Sequence, residues 1–258
     1  MKNDDLKLKG YTILRNVVDE NEIIKLKKCS IEAFLKHKQI QIDNNSDIIT
    51  DGVALHVILN DNYFIEFLEK LLKKEEFNSI LSNYFNSKFI MNSFTALNNL
   101  PNTPNFSAIV HRDIKFYSGN VPLMINVLVM LDDFTEENGP TLLLPYSHLI
   151  EEKPSDEYFY KNSIQVLGKK GDILFFNSNI WHCSSRNNTS EDRMALPITF
   201  SKSVIKQLLD YPRAIGYDKI NNFSDEMRQI LGYDSRVSSN LDEWYQPFEK
   251  RFYKKNQD

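Results

Sequence analysis

Between residues 88 and 203 the apolar residues come in short bursts: KFIMNSFTAL, VPLMINVLVML, PTLLLPYS, GDILFFNS and MALPITFSK. Each is cut off by Gly, Pro, Asn or Asp. The bursts are too short for well-buried helices, and the breaks fall on turn-forming residues. Short strands that bury one another are what such a stretch can build, so the pattern predicts an antiparallel sandwich or barrel.

The flanks read differently. GYTILRNVV (10–18) is strand-like. Asp19 then opens DENEIIKLKKCSIEAFLKH, with Glu22 three residues on, as in a capping box. Ile23, Leu26, Cys29 or Ser30, and Phe34 keep an approximate helical period. Residues 40–60 are irregular, with DNNSD and TDG as turn signals. Residues 61–86 read as two helices, and the chain turns polar and helical again after 203. With no internal repeat and no flexible linker, the expectation is one domain over 1–258. It has a mostly helical part (1–87), a β core (88–203) and a helical C-terminal segment (204–258).

Charge and composition exclude several classes. With 31 basic and 35 acidic side chains and no long basic stretch, there is no footprint for nucleic acid. No run approaches the ~18 apolar residues of a membrane span, and MKNDDLKLKG lacks the apolar core of a signal peptide. The two cysteines, Cys29 and Cys183, form no CxxC pair. A reducing, cytoplasmic setting and no disulfide framework are expected.

Chemistry concentrates in HRDIKFY (111–117). On a strand, His111 and Asp113 would point to one face. Two imidazoles and one carboxylate form the ligand set of a non-haem iron(II) oxygenase, with coordination positions left open. Histidines stand at 37, 56, 111, 148 and 182. His37 falls in the first helix and His56 before the β region. His182 follows GDILFFNSNIW and leaves room for roughly four or five strands after Asp113; His148 is its competitor. If such an enzyme uses 2-oxoglutarate, the far carboxylate needs a cation, and arginine grips carboxylates with two hydrogen bonds. A hairpin after His182 would lay Arg193 on the neighbouring strand. Ser184, two residues after His182, would face the same cavity. Arg193 pairing with Glu191 or Asp192, and Ser184 bonding to backbone, are the plainer alternatives.

Four blocks in order, GYTILRNVVDENEIIKLK, HRD, LDDFTEENGPTLLLPYSH (131–148) and GDILFFNSNIWHCSSRNNTSEDR (171–193), resemble the phytanoyl-CoA dioxygenase family. The resemblance implies a mainly β fold with flanking helices around a double-stranded β-helix (jelly roll, cupin-like). It implies His111, Asp113 and His182 as catalytic iron ligands, and Arg193 and Ser184 as the groups holding 2-oxoglutarate. His148 matches a histidine that is not a ligand in the family. Arg112 stands where relatives often have Gln, and Leu128 where many have Trp. The implied activity is hydroxylation of an unactivated C–H; because the chain lacks a long apolar lid, a small, polar metabolite is the expected substrate. The reaction uses Fe(II), 2-oxoglutarate and O2, with ascorbate as a stimulant, and releases succinate and CO2. The Asp113 carboxylate argues against halogenation, since related halogenases have a small residue there. Desaturation, epimerisation or cyclisation by the same machinery, or metal-dependent small-molecule binding without catalysis, are the alternatives. Residues 40–60, 92–110 and 205–250 are the expected substrate walls. Asn92, Asn98, Asn99, Tyr117, Lys202, Arg213 and Arg236, on or near these walls, are possible polar contacts. Lys115 and Arg186 are candidates for an anionic group. Oligomeric state is left open.

Overall fold

The computed structural model describes residues 2–103 and 108–257. Its strands are β1 (Tyr11–Leu14), β2 (Val53–Ala54), β3 (Phe89–Phe94), β4 (Ala96–Asn99), β5 (Met124–Met130), β6 (Thr141–Leu143), β7 (Ile164–Val166), β8 (Ile173–Asn177), β9 (His182–Ser184) and β10 (Arg193–Lys202). Seven form an antiparallel sheet in the order β1-β8-β5-β10-β4-β2, with β3 also paired to β10; the other three form the sheet β7-β6-β9. The helices are α1 (Lys2–Lys9), α2 (Glu20–Asp43), α3 (Asn62–Leu72), α4 (Glu75–Phe85), α5 (Asp156–Asn162), α6 (Tyr211–Ile215), α7 (Asp225–Leu231) and α8 (Leu241–Trp244).

Strand periodicity divides the core in two. In β10, Met194, Leu196, Ile198 and Phe200 join the helix-side core, as do Ile125, Val127 and Val129 of β5 and Ile173 and Phe175 of β8. The alternate residues point the other way. Ala195, Leu128, Met130, Leu174 and Phe176 pack on that side with Leu143 and Val166 of the small sheet. The large sheet is thus covered by helices on one face and by the small sheet on the other, as a jelly roll requires. The candidate site opens on this second face.

Local chemistry sets the helices. The Asp19 carboxylate accepts from the Glu22 N–H at 2.9 Å, which satisfies one of the open donors of the first turn of α2. Glu22 itself reaches Lys70 at 3.2 Å rather than folding back, so only half of a capping box forms. Asp61 caps α3 through the Tyr63 N–H at 2.8 Å. The two helices expected over 61–86 are α3 and α4. They bury Phe64, Phe67, Leu68, Phe77, Leu81 and Phe85, each contributing about 1.5–3 kcal/mol of apolar transfer.

Three local expectations need correcting. Residues 40–60 are not wholly irregular: α2 continues to Asp43, and β2 pairs with Leu97 and Ala96. NNLPNTPN (98–105) reads as a loop before HRD, but Asn98 and Asn99 close β4, paired with Met194 and Arg193; residues 104 and 105 of that stretch lie outside the described residues. HRD is not on a strand, because only His111 makes a bridge, to His182, and the chain bends at Asp113. Four strands, β5 to β8, separate Asp113 from His182.

Candidate active site

His111 and His182 are locked together by backbone. The His111 N–H donates to the His182 carbonyl at 3.0 Å, and the His182 N–H returns the bond at 2.9 Å. Residues opposed in this way present side chains on one face, and the imidazole centroids lie 4.3 Å apart. Past the bridge, the Ile114 N–H reaches the Ser178 carbonyl at 3.4 Å, which turns Asp113 back toward the pair. Asp113 Oδ1 lies 3.4 Å from His111 Nε2, and Oδ2 lies 3.5 Å from His182 Nε2. One ligand atom from each residue falls within 4.8 Å of the others.

The atoms that converge are fixed by bonds behind them. His111 Nδ1 sits 2.7 Å from the Ile109 carbonyl, and His182 Nδ1 sits 3.1 Å from the Ile180 carbonyl. A carbonyl only accepts, so each Nδ1 carries the proton and each Nε2 offers a lone pair to the shared point. Asp113 Oδ2 accepts from Asn126 Nδ2 at 2.6 Å. The Asn126 amide is held in turn, donating to Ser178 Oγ at 3.1 Å and accepting from Thr199 Oγ1 at 2.9 Å. The Asp113 carboxylate, ready to accept from a protonated Nε2, raises the pKa of His111. Burial alone would push Asp113 up, but His182 and His111 together hold it below the usual carboxylate range. Burial keeps His182 neutral, pushing its pKa down.

Arg193 enters from the other sheet. It opens β10 opposite Asn99 of β4, whereas β9 pairs with β6, so the expected hairpin beside His182 does not form. The segment after β9 instead crosses between sheets, and Arg193 faces the small sheet across the interior. Arg193 as a whole is 1% exposed, and its guanidinium donates to the Gly139 carbonyl at 2.6 Å. It lies 4.2 Å over the Phe134 ring. Its Nε is buried without a partner, and it makes no ion pair among the described residues. Glu191 and Asp192 do not take it; Asp192 accepts from Asn98 at 2.8 Å. Burial pushes its pKa down to about 10, with Asp132 opposing. A cavity of about 230 Å³ is lined by His111, Asp113, His182, Ser184 and Arg193 together, with Leu128 on its wall.

Residues 6–195 match the model of the family described as phytanoyl-CoA dioxygenase. The chain belongs to the phytanoyl-CoA dioxygenase family. It is accordingly a non-haem iron dioxygenase. An uncharacterized protein of Mycobacterium tuberculosis is 30% identical over 263 residues, covering 98% of this chain and 94% of that protein. Dioxygenase sphC of Aspergillus fumigatus is 23% identical over 188 residues, covering 68% of this chain and 50% of that protein. The crystal structure of SnoN, a non-heme alpha ketoglutarate dependent epimerase from nogalamycin biosynthesis, superposes with a TM-score of 0.58. That match has 16% identity and covers 78% of this chain and 79% of that one.

Other positions read from the dioxygenase sequence sort themselves by contact. His148 is buried, with Nε2 at 3.0 Å from the Lys7 carbonyl, remote from the convergent trio. Arg112 points away from the site, donating to the Ile150 carbonyl at 2.8 Å and lying 4.2 Å over Trp181. Cys183 packs with Leu144, Phe159 and Trp181. Ser184 Oγ lies 3.4 Å from the Ser185 carbonyl, so the backbone bond is made even though the residue lines the cavity. Several polar residues on the expected substrate walls are committed to the protein itself. Asn99 donates to the Gly139 and Ser185 carbonyls, each at 3.2 Å. Lys202 donates to Ser87 at 2.8 Å, Arg186 to the Asn102 carbonyl at 3.3 Å, and Arg236 stacks against Tyr217 and Phe252. Sequence reasoning passed over Asn126 and Thr199 behind Asp113, and the Gly139–Phe134 seat of Arg193. Asn126 left a signal: one amide inside the apolar run VPLMINVLVML must find partners if buried. The seat left none, because its parts come from unrelated stretches of chain.

Proposed function

We propose that this dioxygenase hydroxylates an unactivated C–H bond of a small metabolite, consuming 2-oxoglutarate and O2 and releasing succinate and CO2. The observation that carries the reading is the convergence of two Nε2 atoms and one carboxylate within 4.8 Å, each backed by its own hydrogen bond. Neutral imidazoles plus a carboxylate suit iron(II) and leave positions free for a chelating co-substrate. Bound iron supplies the oxidising chemistry; the chain's own residues bind, orient and exclude water. His111, Asp113 and His182 hold the metal. Arg193 binds the far carboxylate of 2-oxoglutarate, and its partnerless buried Nε is the complement such a carboxylate would meet. Ser184 contributes a hydroxyl to the same end. Asn126 keeps one oxygen of Asp113 oriented, and the apolar walls around Leu128 and Phe176 keep water from the reacting bond. The chain works as one unit, since residues from Leu6 to Tyr233 share a single core cluster.

The test compares succinate release from wild type, Asp113→Ala and Arg193→Ala with iron(II), ascorbate and 2-oxoglutarate. Both variants are expected to lose it. Label from ¹⁸O2 in the product separates hydroxylation from desaturation, cyclisation and epimerisation, the last being the activity named for SnoN. If wild type binds no 2-oxoglutarate at millimolar concentration with manganese replacing iron, the reading is wrong.

A further inference from the structure

A second cavity of about 400 Å³ begins where the first ends, sharing Asp113, Ser93 and Thr199 with it. Its other walls are mainly apolar: Ile114, Phe116, Met124, Ile205 and Leu208. Two charged side chains besides Asp113 line it, Lys115 and Lys206, and both are cations. Neither amine has a hydrogen-bond or ion-pair partner among the described residues. The only carboxylate on its described walls is Asp113, which the proposed function commits to the metal. The wall is built rather than loose. Asn92 Nδ2 donates to the Lys206 carbonyl at 3.0 Å, the Leu208 N–H reaches the Asn92 carbonyl at 3.4 Å, and Gln207 Nε2 donates to the Met91 carbonyl at 2.7 Å. These bonds staple residues 206–208 to β3. A greasy trough that carries two exposed cations and starts at the proposed metal ligands suits one chemical class.

We propose that this trough is the substrate site and that it takes a small amphiphilic anion. The acidic group lies against Lys115 and Lys206, and the apolar body runs along Phe116, Met124 and Ile205 toward Asp113. The inference rests on the proposed function for the identity of the reacting centre, but the binding claim is separable from it. The two lysines act as specificity residues: they choose an anion, and neither belongs to the convergent ligand trio. Asn92, a possible polar contact from sequence, lines this trough and also positions the Lys206 wall.

The probes are octanesulfonate, a poor metal ligand, and uncharged octanamide. Calorimetry is run on manganese-loaded protein saturated with 2-oxoglutarate, and again on metal-free protein. Octanesulfonate is expected to bind more tightly than octanamide, and to weaken about tenfold in the Lys115→Gln/Lys206→Gln double variant, the combined effect of two exposed charge contacts. Octanamide binding should be unchanged by the substitutions. Lys206→Glu should weaken the sulfonate further while leaving the 2-oxoglutarate affinity as in wild type. Equal affinity for the two probes, no binding of either, or indifference of the sulfonate to both variants overturns the proposal. A wild type that binds octanesulfonate in the lysine-dependent way but never binds 2-oxoglutarate would leave the anion site standing and remove the dioxygenase chemistry assigned to its neighbour.

Discussion

Replacing Arg193 with methionine should make the ligand-free protein more stable and the co-substrate complex weaker, and the two effects can be sized. The residue is 1% exposed, and its guanidinium has one short hydrogen bond and an aromatic face for company. Folding pushes its pKa down to about 10, which corresponds to roughly 3 kcal/mol against the charged form. Because the cationic form is the one penalised, that cost is present in full at neutral pH and fades only as pH rises past the folded value. Methionine removes the charge but fills the space imperfectly, and because the Gly139 carbonyl keeps Asn99 as a donor, the offset is about 1 kcal/mol. The net gain is roughly 2 kcal/mol, or about 5 °C in melting temperature for a chain of this size. Binding changes the order. With 2-oxoglutarate at about a hundred times its Kd, wild type gains about 2.7 kcal/mol by mass action. The variant has lost a buried charge pair; at about 4 kcal/mol, within the range for such pairs, its own gain falls below about 0.1 kcal/mol. Melting curves with manganese, with and without 2-oxoglutarate, should therefore cross: the variant melts higher alone, wild type higher with co-substrate. A variant that melts below wild type without ligand, or that shifts as much as wild type with it, refutes the account of Arg193 as a charge held ready for an anion.

Asn126→Leu leaves Asp113 Oδ2 without its 2.6 Å donor, so manganese affinity should fall about ten- to a hundredfold in a titration followed by electron paramagnetic resonance. Gly139→Ala forces a side chain onto a residue at φ +77° and brings a Cβ within 2.6 Å of the Ser185 carbonyl. The expected loss is about 2–4 kcal/mol in denaturant midpoint, with 2-oxoglutarate binding weakened because the seat of Arg193 moves. Burial pushes the pKa of His148 down, with the Lys7 carbonyl opposing. The unfolded chain then takes up the proton first as pH falls through about 6.5, so stability should decline below that pH. His148→Gln should flatten this part of the stability profile measured by urea unfolding.

The elements that were legible in the sequence are those written in local chemistry. Asp19 sits where a helix needs a cap, the aromatic and leucine spacing of 61–86 marks two helices, and the alternation in MALPITFSK assigns one set of side chains to the core. The H-x-D pair was read from its residue types, yet its supposed strand was wrong. Histidine and aspartate two apart can share a target on a strand or, as here, across a bend stapled to Ser178. Arg193 does line the cavity with the trio, but from the large sheet and not from a strand beside His182. A connection from His182 to Arg193 can close a hairpin or cross a sandwich, and loop length distinguishes the two poorly.

By itself the sequence determined which side chains were available and which faces of each strand were apolar, because both follow from residue identity and from a backbone that alternates every residue. Which strand lies against which was decided only by tertiary structure. Pairing is settled by the burial of whole faces and by backbone hydrogen bonds between distant segments, so His111 meets His182 across a single bridge and Arg193 arrives from the opposite sheet, onto a carbonyl that no motif announced.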